Sequence, residues 1–389
     1  MKFLKLKFLM FYIFIFLLLI KKNIIASEKF LKSNEIFAIG SVLMDSYSGR
    51  ILWEKNYKKP LAMASTTKIM TAIFAIEKSK NLDKIICIDK SIIGIPKVKM
   101  DLVPGEKIEL RNLLYALMLQ SSNDAAVAIA KNISGSVDKF CEDITKKAKK
   151  IGAENTVFKT PNGLDKDDHH STAYDMAKVT RYALKNKKFI DIINTPNISF
   201  KTNKKSYLIN NKNRLLKEFK GANGVKTGFT GKAGNCFVGS AKRNGMQLIS
   251  VVLGSGWGNS GRENKWTDTK KILNYGFENF AYKKIFYKNQ IAARVEVLNS
   301  RKKTLDLIFN KDLILPLCDD DKIRVVLKIP DALDAPIIKN KVLGKAIVFI
   351  NNKTISELNL ISNQNIARHD FKNSIKKIFR SWIKIKLEI

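Results

Sequence analysis

Ser65 and Lys68 are the residues whose types and spacing most clearly indicate chemistry, because they place a hydroxyl and an amine one helical turn apart. A serine hydroxyl is a weak nucleophile until a neighbouring base removes its proton. A lysine can act as that base only if burial or a nearby positive charge lowers its pKa. The pair therefore predicts nucleophilic catalysis if the rest of the chain supplies the groups that keep Lys68 neutral.

Two further polar stretches could complete such a site. Ser121 and Asn123 lie in a polar segment between two apolar runs, as expected for a loop between helices. Lys226, in a strand-like run, is a second positive charge that would keep Lys68 neutral. Gly228 on the same run leaves room for a peptide to lie against the strand. These residues together predict an acyl-transfer site.

Hydropathy patterns and turn residues predict the elements that must position these groups. A β-hairpin over 36–55 precedes a helix that begins near Ser65, and the Leu110 to Leu119 helix is followed by another from Asp124. Thr172 caps a further helix, which precedes an antiparallel meander and a closing helix. The ranges of these last elements are 173–185, 222–230, 235–242, 246–255 and 264–280. The order predicts an α+β fold, with a mixed sheet whose first and last strands pair around a helical insert.

The three motifs occur in an order that resembles a known family. Ser65-x-x-Lys68, Ser121-x-Asn123 and Lys226-Thr227-Gly228 resemble the set shared by penicillin-binding proteins and class A β-lactamases. Neighbouring segments narrow the resemblance to low-molecular-mass serine-type D-alanyl-D-alanine carboxypeptidases. Those segments are 64–71, 113–119, 123–126, 160–164, 169–175, 224–230 and 274–277. The resemblance implies a transpeptidase-like fold, an antiparallel sheet with helices on its faces and a helical subdomain, over roughly 36–283.

The resemblance also implies roles in acyl transfer. Ser65 would attack the carbonyl of the penultimate D-alanine of a peptidoglycan stem peptide, with Lys68 as the base. Ser121 would bridge Lys68 and the leaving nitrogen, and Asn123 would hold a substrate amide. Water would then hydrolyse the ester, and β-lactams would acylate the same serine.

The strand motif is implied to bind the end of the substrate. Thr227 would hydrogen-bond the terminal carboxylate within the positive potential of Lys226, and Gly228 would let the peptide approach. The N–H groups of Ser65 and Phe229 would form the oxyanion hole. Phe229 stands where some relatives carry histidine, which could alter substrate preference. No metal and no cofactor is expected.

Three alternative functions compete with the carboxypeptidase. A class A-like β-lactamase needs a Glu-x-x-x-Asn loop for its deacylating water, and Glu154-Asn155 before Lys226 lacks that spacing. A non-catalytic wall-binding protein would not need the intact set of polar residues. An endopeptidase that cuts D,D cross-links is a close variant that stays open.

The chain is long enough, at 389 residues, for two domains with appendages. Residues 1–26 combine early lysines with an apolar run and a small-residue cleavage point, a pattern typical of a signal peptide. An uncleaved anchor stays an alternative. The catalytic domain is expected over 27–283. The protein is therefore expected to be exported and to act at the outer face of the cytoplasmic membrane or in the cell wall.

The C-terminal part has a different pattern. Short β-rich runs separated by polar turns predict a small, β-sandwich-like domain over 284–366. Residues 367–389 predict a basic amphipathic helix with Trp382 on its apolar side, typical of an anionic bilayer surface. Each Lys or Arg near such a surface contributes about 1 kcal/mol. A peripheral membrane anchor is favoured over a helix packed on the β domain.

The formal net charge of +35 bears on the partners of the chain. In a cytoplasmic protein this excess would suggest nucleic acid. Export, and basic residues that do not cluster with stacking aromatics, argue against nucleic acid. An anionic membrane surface or wall polymer is the favoured counterpart.

Cysteine and histidine patterns are interpreted as structural. The four cysteines are scattered, which favours separate buried thiols over a disulfide framework or a zinc site, and Cys236 is expected to face the core. The run Asp167-Asp168-His169-His170 could suggest a metal cluster. Adjacent histidines usually point apart and no third ligand has suitable spacing, so a solvated loop is expected.

Overall fold

The computed structural model describes residues 30–96, 98–369, 375 and 378–382. The chain divides into two compact units between Asn279 and Phe280. The sequence places this boundary after residue 283, and the difference arises because Ala281–Phe286 pairs with Leu313–Leu317 in the second unit. The predicted signal peptide and most of the predicted C-terminal helix lie outside the described residues.

The strands of the first unit are β1 (Gly40–Asp45), β2 (Ile51–Lys55), β3 (Ile85–Cys87), β4 (Lys107–Glu109), β5 (Asn197–Lys201), β6 (Ser206–Asn210), β7 (Ala222–Thr230), β8 (Gly234–Arg243) and β9 (Met246–Leu253). A five-stranded sheet in the order β2-β1-β9-β8-β7 is the frame of this unit, and the pairs β3-β4 and β5-β6 form two further two-stranded sheets. Each neighbouring pair of the sheet is antiparallel. The mixed sheet expected from element order is therefore wrong, because β9 returns beside β1 in the opposite direction. The antiparallel sheet that the resemblance implies is confirmed.

The helices of the first unit form between and around these strands. They are α1 (Lys68–Lys78), α2 (Leu110–Tyr115), α3 (Asn123–Ser134), α4 (Val137–Lys150), α5 (Ala173–Ala183), α6 (Lys187–Asn194), α7 (Leu215–Glu218) and α8 (Gly258–Asn279). A 3₁₀ turn, Ala64–Thr67, leads into α1, and α2 continues as a π-helical turn, Ala116–Gln120. The predicted cap is confirmed, since Thr172 Oγ1 accepts a hydrogen bond of 3.0 Å from the backbone N–H of Asp175.

The core of the first unit surrounds α1. Every residue from Lys68 to Ile76 is buried, whereas surface helices such as α4 bury one face only. Burial of apolar side chains contributes roughly 25 cal/mol per Å² of surface removed from water. A helix buried on all sides cannot shift without disturbing its neighbours, so the first turn of α1 is a rigid base for reactive groups.

The second unit is all-β, as predicted. Its six-stranded sheet has the order β14-β16-β17-β12-β11-β15, and β10 pairs with β13. The strands are β10 (Ala281–Phe286), β11 (Ile291–Leu298), β12 (Thr304–Phe309), β13 (Leu313–Leu317), β14 (Ile323–Lys328), β15 (Ala332–Asp334), β16 (Val342–Ile350) and β17 (Lys353–Ser362). A separate apolar core that includes Leu307, Val348 and Leu360 lies within this unit.

The predicted membrane helix is described only in part. Ile375 and residues 378–382 are helical, and the amphipathic helix over 367–389 stays a prediction. Across the described residues, no helix combines the length and the hydropathy that a bilayer span requires.

The cysteines are free, as expected, but they are not all buried. Cys141 and Cys236 are buried, and Cys236 lies in the core as predicted. Cys318 is half-buried. Cys87 is exposed, because it is the last residue of the short strand β3, where the side chains of Ile85 and Cys87 face solvent.

Candidate active site

Ser65 lies in the 3₁₀ turn that precedes α1, and two glycines allow other segments to close on this turn. Ala64 has a φ of 49°, a left-handed conformation that is unusual for a residue with a side chain. A Cβ on Gly163 would lie 2.0 Å from Ala64 O, and one on Gly228 would lie 3.0 Å from the backbone nitrogen of Ser65. The loop 160–164 and strand β7 therefore hold the nucleophile from two sides at distances that only glycine permits.

Lys68 is fully buried, and three oxygen atoms surround its amine. Its Nζ lies 2.8 Å from Ser65 Oγ, 2.8 Å from Asn123 Oδ1 and 2.6 Å from the backbone oxygen of Asn162. A neutral amine has two N–H donors and one lone pair. Because the two carbonyl oxygens can only accept, they take the two N–H bonds and leave the lone pair facing the Ser65 hydroxyl. This is the arrangement in which Lys68 can remove the proton of Ser65.

Burial is the first cause that lowers the pKa of Lys68 well below its ordinary value, and the positive charge of Lys226 is the second. The Asp124 carboxylate acts in the opposite direction and raises this pKa. From the sequence, both the nearby Lys226 and a dry site are expected to keep Lys68 neutral. In the structure, removal of the amine from water contributes more.

Asn123 is held from both its backbone and its side chain at the start of α3. Its backbone N–H donates to Val98 O at 2.7 Å, and its Nδ2 donates to Pro96 O at 3.1 Å. The next residue, Asp124, accepts hydrogen bonds from the backbone N–H groups of Met100 and Leu102. These contacts therefore fix the rotamer with which Asn123 meets Lys68.

Ser121 lies two residues before Asn123, but the bridge to Lys68 expected from the sequence is not formed. It ends the π-helical turn with a φ of 71° and is half-buried. Within the described part of the chain, the amine of Lys68 bonds Ser65, Asn123 and Asn162 and not Ser121. The third contact is made by the Asn162 carbonyl because the loop 160–164 packs directly on the nucleophile turn.

Three lysines place positive charge behind strand β7. Lys226 is 2% exposed, and its pKa is lowered to about 7 by burial first and then by Lys212 and Lys265. The Nζ of Lys265 donates to Asn235 Oδ1 at 2.9 Å. Burial and the nearby Arg262 lower the pKa of Lys265. Lys226 is buried, Lys265 is half-buried and Lys212 is exposed, and such a cluster of cations is suited to an anionic group of a ligand.

Strand β7 is the edge of its sheet, so alternate backbone groups point away from β8. Thr227 is half-buried on this strand, and the Phe229 ring is 56% exposed. Gly228 lies between them against the nucleophile turn. An extended peptide could add to this edge with its carbonyl beside Ser65.

His169 is a residue whose position the sequence did not predict, and the expectation of a solvated loop is wrong for it. It is 4% exposed, and its Nδ1 accepts from the backbone N–H of Lys159 at 2.9 Å. This contact assigns the proton to Nε2, which lies 3.1 Å from Thr67 Oγ1. His169 therefore links Lys159, in the loop that follows Val157, to Thr67 in the 3₁₀ turn that contains Ser65.

The site also uses residues for which no motif assigned a role. The carbonyl of Asn162 contacts both Ser65 and Lys68, although only its presence in the family-like segment 160–164 drew attention to it. Lys212 and Lys265 are ordinary lysines in a lysine-rich sequence, and no local pattern distinguishes them. The fold alone brings them to Lys226.

A serine hydroxyl in contact with a buried lysine amine, beside further cations and an open strand edge on an α+β unit, is an arrangement typical of the class of serine acyl-transfer enzymes. The chain belongs to the D-alanyl-D-alanine carboxypeptidase family, whose model matches residues 27–256. A second model, described as the C-terminal domain of penicillin-binding protein 5, matches residues 280–368.

Individual relatives agree with this assignment. The chain is 32% identical to D-alanyl-D-alanine carboxypeptidase DacF of Bacillus subtilis, over 90% of this chain and 91% of that protein. The crystal structure of penicillin-binding protein 5 from Haemophilus influenzae has a TM-score of 0.74 at 30% identity and covers 87% of this chain and 100% of that one. The Streptomyces K15 DD-transpeptidase has a TM-score of 0.59 at 32% identity and covers 62% of this chain and 98% of its own.

Proposed function

We propose that this protein removes the terminal D-alanine from peptidoglycan stem peptides that end in D-Ala-D-Ala, through an acyl-enzyme on Ser65, and so limits cross-linking of the wall. The observation that carries the proposal is the 2.8 Å contact between Ser65 Oγ and the buried Nζ of Lys68. Membership of the carboxypeptidase family supports the choice of substrate. The names of the penicillin-binding relatives support β-lactams as covalent inhibitors.

The first half-reaction forms an ester on the serine. Ser65 Oγ attacks the carbonyl carbon of the penultimate D-alanine while its proton moves to Nζ of Lys68. Backbone N–H groups of Ser65 and Phe229 stabilise the tetrahedral oxyanion, and loss of one such donor typically costs about 10²–10³ in rate. The peptide C–N bond then breaks, and the proton passes from Lys68 through Ser121 to the departing amine. The relay needs the Ser121 hydroxyl within hydrogen-bond distance of both Lys68 Nζ and the departing nitrogen.

The second half-reaction regenerates the enzyme. A water molecule attacks the ester carbonyl while Lys68 accepts its proton, and the proton then passes to Ser65 Oγ as the ester C–O bond breaks. This step releases the shortened stem peptide and regenerates the Ser65 hydroxyl. Asn123 and the edge of β7 hold the peptide during both steps, and Thr227, Lys226 and the added charge of Lys265 bind the terminal carboxylate during the first.

Covalent labelling with a fluorescent penicillin tests the nucleophile. The wild-type protein should gain one equivalent of label, and Ser65→Ala should gain none. Ser79→Ala, one residue after α1, is the matched serine control and should label like wild type. Equal labelling of Ser65→Ala and wild type would contradict the proposal.

Product analysis with defined substrates tests the reaction. Mass spectrometry of a pentapeptide stem should show loss of one D-alanine, with no product from Ser65→Ala. Cleavage of a cross-linked dimer but not of the pentapeptide would indicate the endopeptidase instead. Rapid turnover of penicillin with no peptide cleavage would indicate a β-lactamase. No reaction with the pentapeptide, the cross-linked dimer or penicillin would indicate a wall-binding protein.

We also propose that the protein is exported by the segment 1–26 and held at the outer face of the cytoplasmic membrane by the helix over 367–389. The basic and apolar pattern of residues 367–389 supports the proposed membrane attachment. Among its described residues, Ile378, Phe379 and Trp382 are 59%, 67% and 74% exposed. An anionic bilayer surface is the partner that would cover such side chains next to lysines and arginines.

A further inference from the structure

Glu106 is a buried carboxylate that joins two segments of the first unit. It has no exposed surface and lies just before strand β4. Its Oε1 accepts hydrogen bonds from Thr202 Oγ1 and Tyr207 Oη, each at 2.8 Å, and its Oε2 accepts one from the backbone N–H of Val103 at 3.1 Å. The two hydroxyls belong to the β5–β6 hairpin and the amide to the segment before Glu106, so this one side chain connects them.

The turn of the hairpin also contacts the chain around Glu106, through hydrogen bonds between its side chains and backbone groups. Asn203 Oδ1 accepts from the backbone N–H of Lys107 at 2.7 Å, and Asn203 Nδ2 donates to Gly105 O at 3.3 Å. Lys205 donates from its Nζ to Asp101 O. The hairpin and the segment that ends at Glu106 therefore form one hydrogen-bonded layer.

Each of these two segments also reaches the reactive centre. The segment before Glu106 holds Asn123 through Pro96 O and Val98 O, and Asn123 in turn accepts from Lys68. The hairpin leads into Lys212, whose backbone N–H donates to Leu119 O at 3.0 Å, two residues before Ser121. The charge of Lys212 also acts on Lys226. Glu106 thus connects the segment that holds Asn123 to the hairpin that leads into Lys212.

The chemistry of Glu106 indicates more than packing. Its hydrogen-bond partners are two hydroxyls and one amide, all uncharged, and a carboxylate removed from water without a cation is costly to keep. A carboxylate is an acceptor only, so it can hold three donors from two segments at once, which an apolar side chain of the same size cannot do.

We infer that Glu106 is a positioning residue that couples the segment holding Asn123 to the β5–β6 hairpin and so keeps the Lys68–Asn123 contact in its reactive geometry. The inference rests on the proposed function, because it concerns acylation of Ser65. Glu106 touches neither substrate nor Ser65, and it acts through Asn123.

The test is acylation by a reporter penicillin, measured so that the acylation rate constant and the dissociation constant of the noncovalent complex are separated. Glu106→Leu keeps the volume and removes all three acceptors. It should lower the acylation rate constant about tenfold, since small misplacement of reacting groups is costly, and leave the dissociation constant within about twofold. Glu106→Gln offers a carbonyl oxygen to the N–H of Val103 and an NH₂ that can donate to the Tyr207 hydroxyl, so it should restore part of the rate.

A matched control separates positioning from general destabilisation. Asp175 is likewise buried, and its Oδ2 accepts from the backbone N–H of Asn155 and the hydroxyl of Thr156, while its Oδ1 lies 3.6 Å from Nζ of Lys178. Asp175→Leu should lose stability as Glu106→Leu does and keep the wild-type acylation rate constant. An unchanged rate constant in Glu106→Leu, or an equal loss in Asp175→Leu, would overturn the inference.

Milder variants keep the test decisive if Glu106→Leu does not fold. Tyr207→Phe and Thr202→Val each remove one of the three donors and should each lower the acylation rate constant by about two- to threefold. Wild-type rates in both folded variants would overturn the inference. Failure of wild-type protein to be acylated at Ser65 would instead contradict the proposed function, so the two failures are distinguishable.

Discussion

The reactivity of Lys68 depends on the shape of its surroundings more than on any single charge. Its amine meets three oxygens, two of which can only accept, so the geometry suits the neutral form. Burial is the leading cause of its low pKa, with Lys226 second. The proposed role of Lys68 as base therefore depends on the core of the first unit, which excludes water around α1.

Lys68→Arg tests this assignment. Arginine keeps the positive charge and much of the length, but its guanidinium stays protonated and cannot remove a proton. Acylation by penicillin should fall about 10²–10⁴-fold, the usual contribution of a general base. Lys78→Arg, in the last turn of the same helix, should change the rate little. A rate of Lys68→Arg within tenfold of wild type would contradict the role of Lys68.

The pH dependence of substrate binding should depend on Lys226. Its pKa is lowered to about 7, so it is charged below that pH and loses its charge as pH rises through about 7. Attraction for the substrate carboxylate should weaken over the same range, and KM for a pentapeptide should rise. Lys226→Arg, which stays charged, should show a flatter profile. Persistence of the same alkaline rise of KM in a folded, active Lys226→Arg would show that another group causes it.

At the scale of elements, the nucleophile turn is held by segments that are far apart in sequence. The loop 160–164 packs on Ala64, and His169 reaches Thr67 across 102 positions of the chain. The loop is also tied to β7, since Thr230 Oγ1 donates to Asp165 Oδ1 at 2.8 Å. These contacts therefore connect the turn that contains Ser65, the loop and strand β7 in one packed cluster.

His169 predicts a loss of stability in acid. Burial lowers its pKa from 6.5 to about 4, so between these values the unfolded chain binds a proton that the folded protein excludes. Stability present above pH 6.5 is therefore lost as pH falls towards 4. Near pH 4.5 the loss amounts to about 2–3 kcal/mol in the free energy of unfolding.

Urea unfolding at pH 7 and pH 4.5 measures this effect. His169→Gln cannot be protonated and should show a smaller difference in free energy of unfolding between the two pH values. His170→Gln, at the half-exposed neighbouring histidine, is the control and should keep the wild-type difference. The same difference in all three proteins would assign the acid sensitivity to other groups.

At the scale of the whole molecule, the chain contains two units with separate apolar cores. The residues of the candidate active site belong to the first unit. The second unit has no proposed catalytic residue, and its family model is that of a C-terminal domain of a penicillin-binding protein. Its proposed part in function is to connect the catalytic unit to the C-terminal helix.

Removal of residues 370–389 tests the membrane proposal. Without them, mature protein should no longer sediment with vesicles of anionic phospholipid, and its carboxypeptidase activity should stay at the wild-type level, because every proposed catalytic and substrate-binding residue lies in the first unit. Full-length protein should bind less at high salt, since its lysines and arginines attract the surface electrostatically. Equal sedimentation of truncated and full-length protein would contradict the helix as anchor.

Much of the fold was predictable because local patterns carry it. The hairpin, the strands of the meander and the helices around Ser65 follow periodicity and turn residues that act over a few positions. Whether neighbouring strands pair parallel or antiparallel was not predictable, since it depends on the path of the whole chain. The π-helical turn before Ser121 was also missed, because a widened turn keeps the apolar composition of an ordinary helix.

The sequence by itself determined the reacting groups, their order along the chain and, through resemblance, the family. Ser65, Lys68, Asn123 and Lys226 are recognisable because each motif is short and its spacing is local. Only the tertiary structure decided what makes Lys68 a base. Burial, the carbonyl of Asn162 and the charges of distant lysines are produced by contacts between remote segments, and no local spacing in a lysine-rich chain specifies which of them will meet.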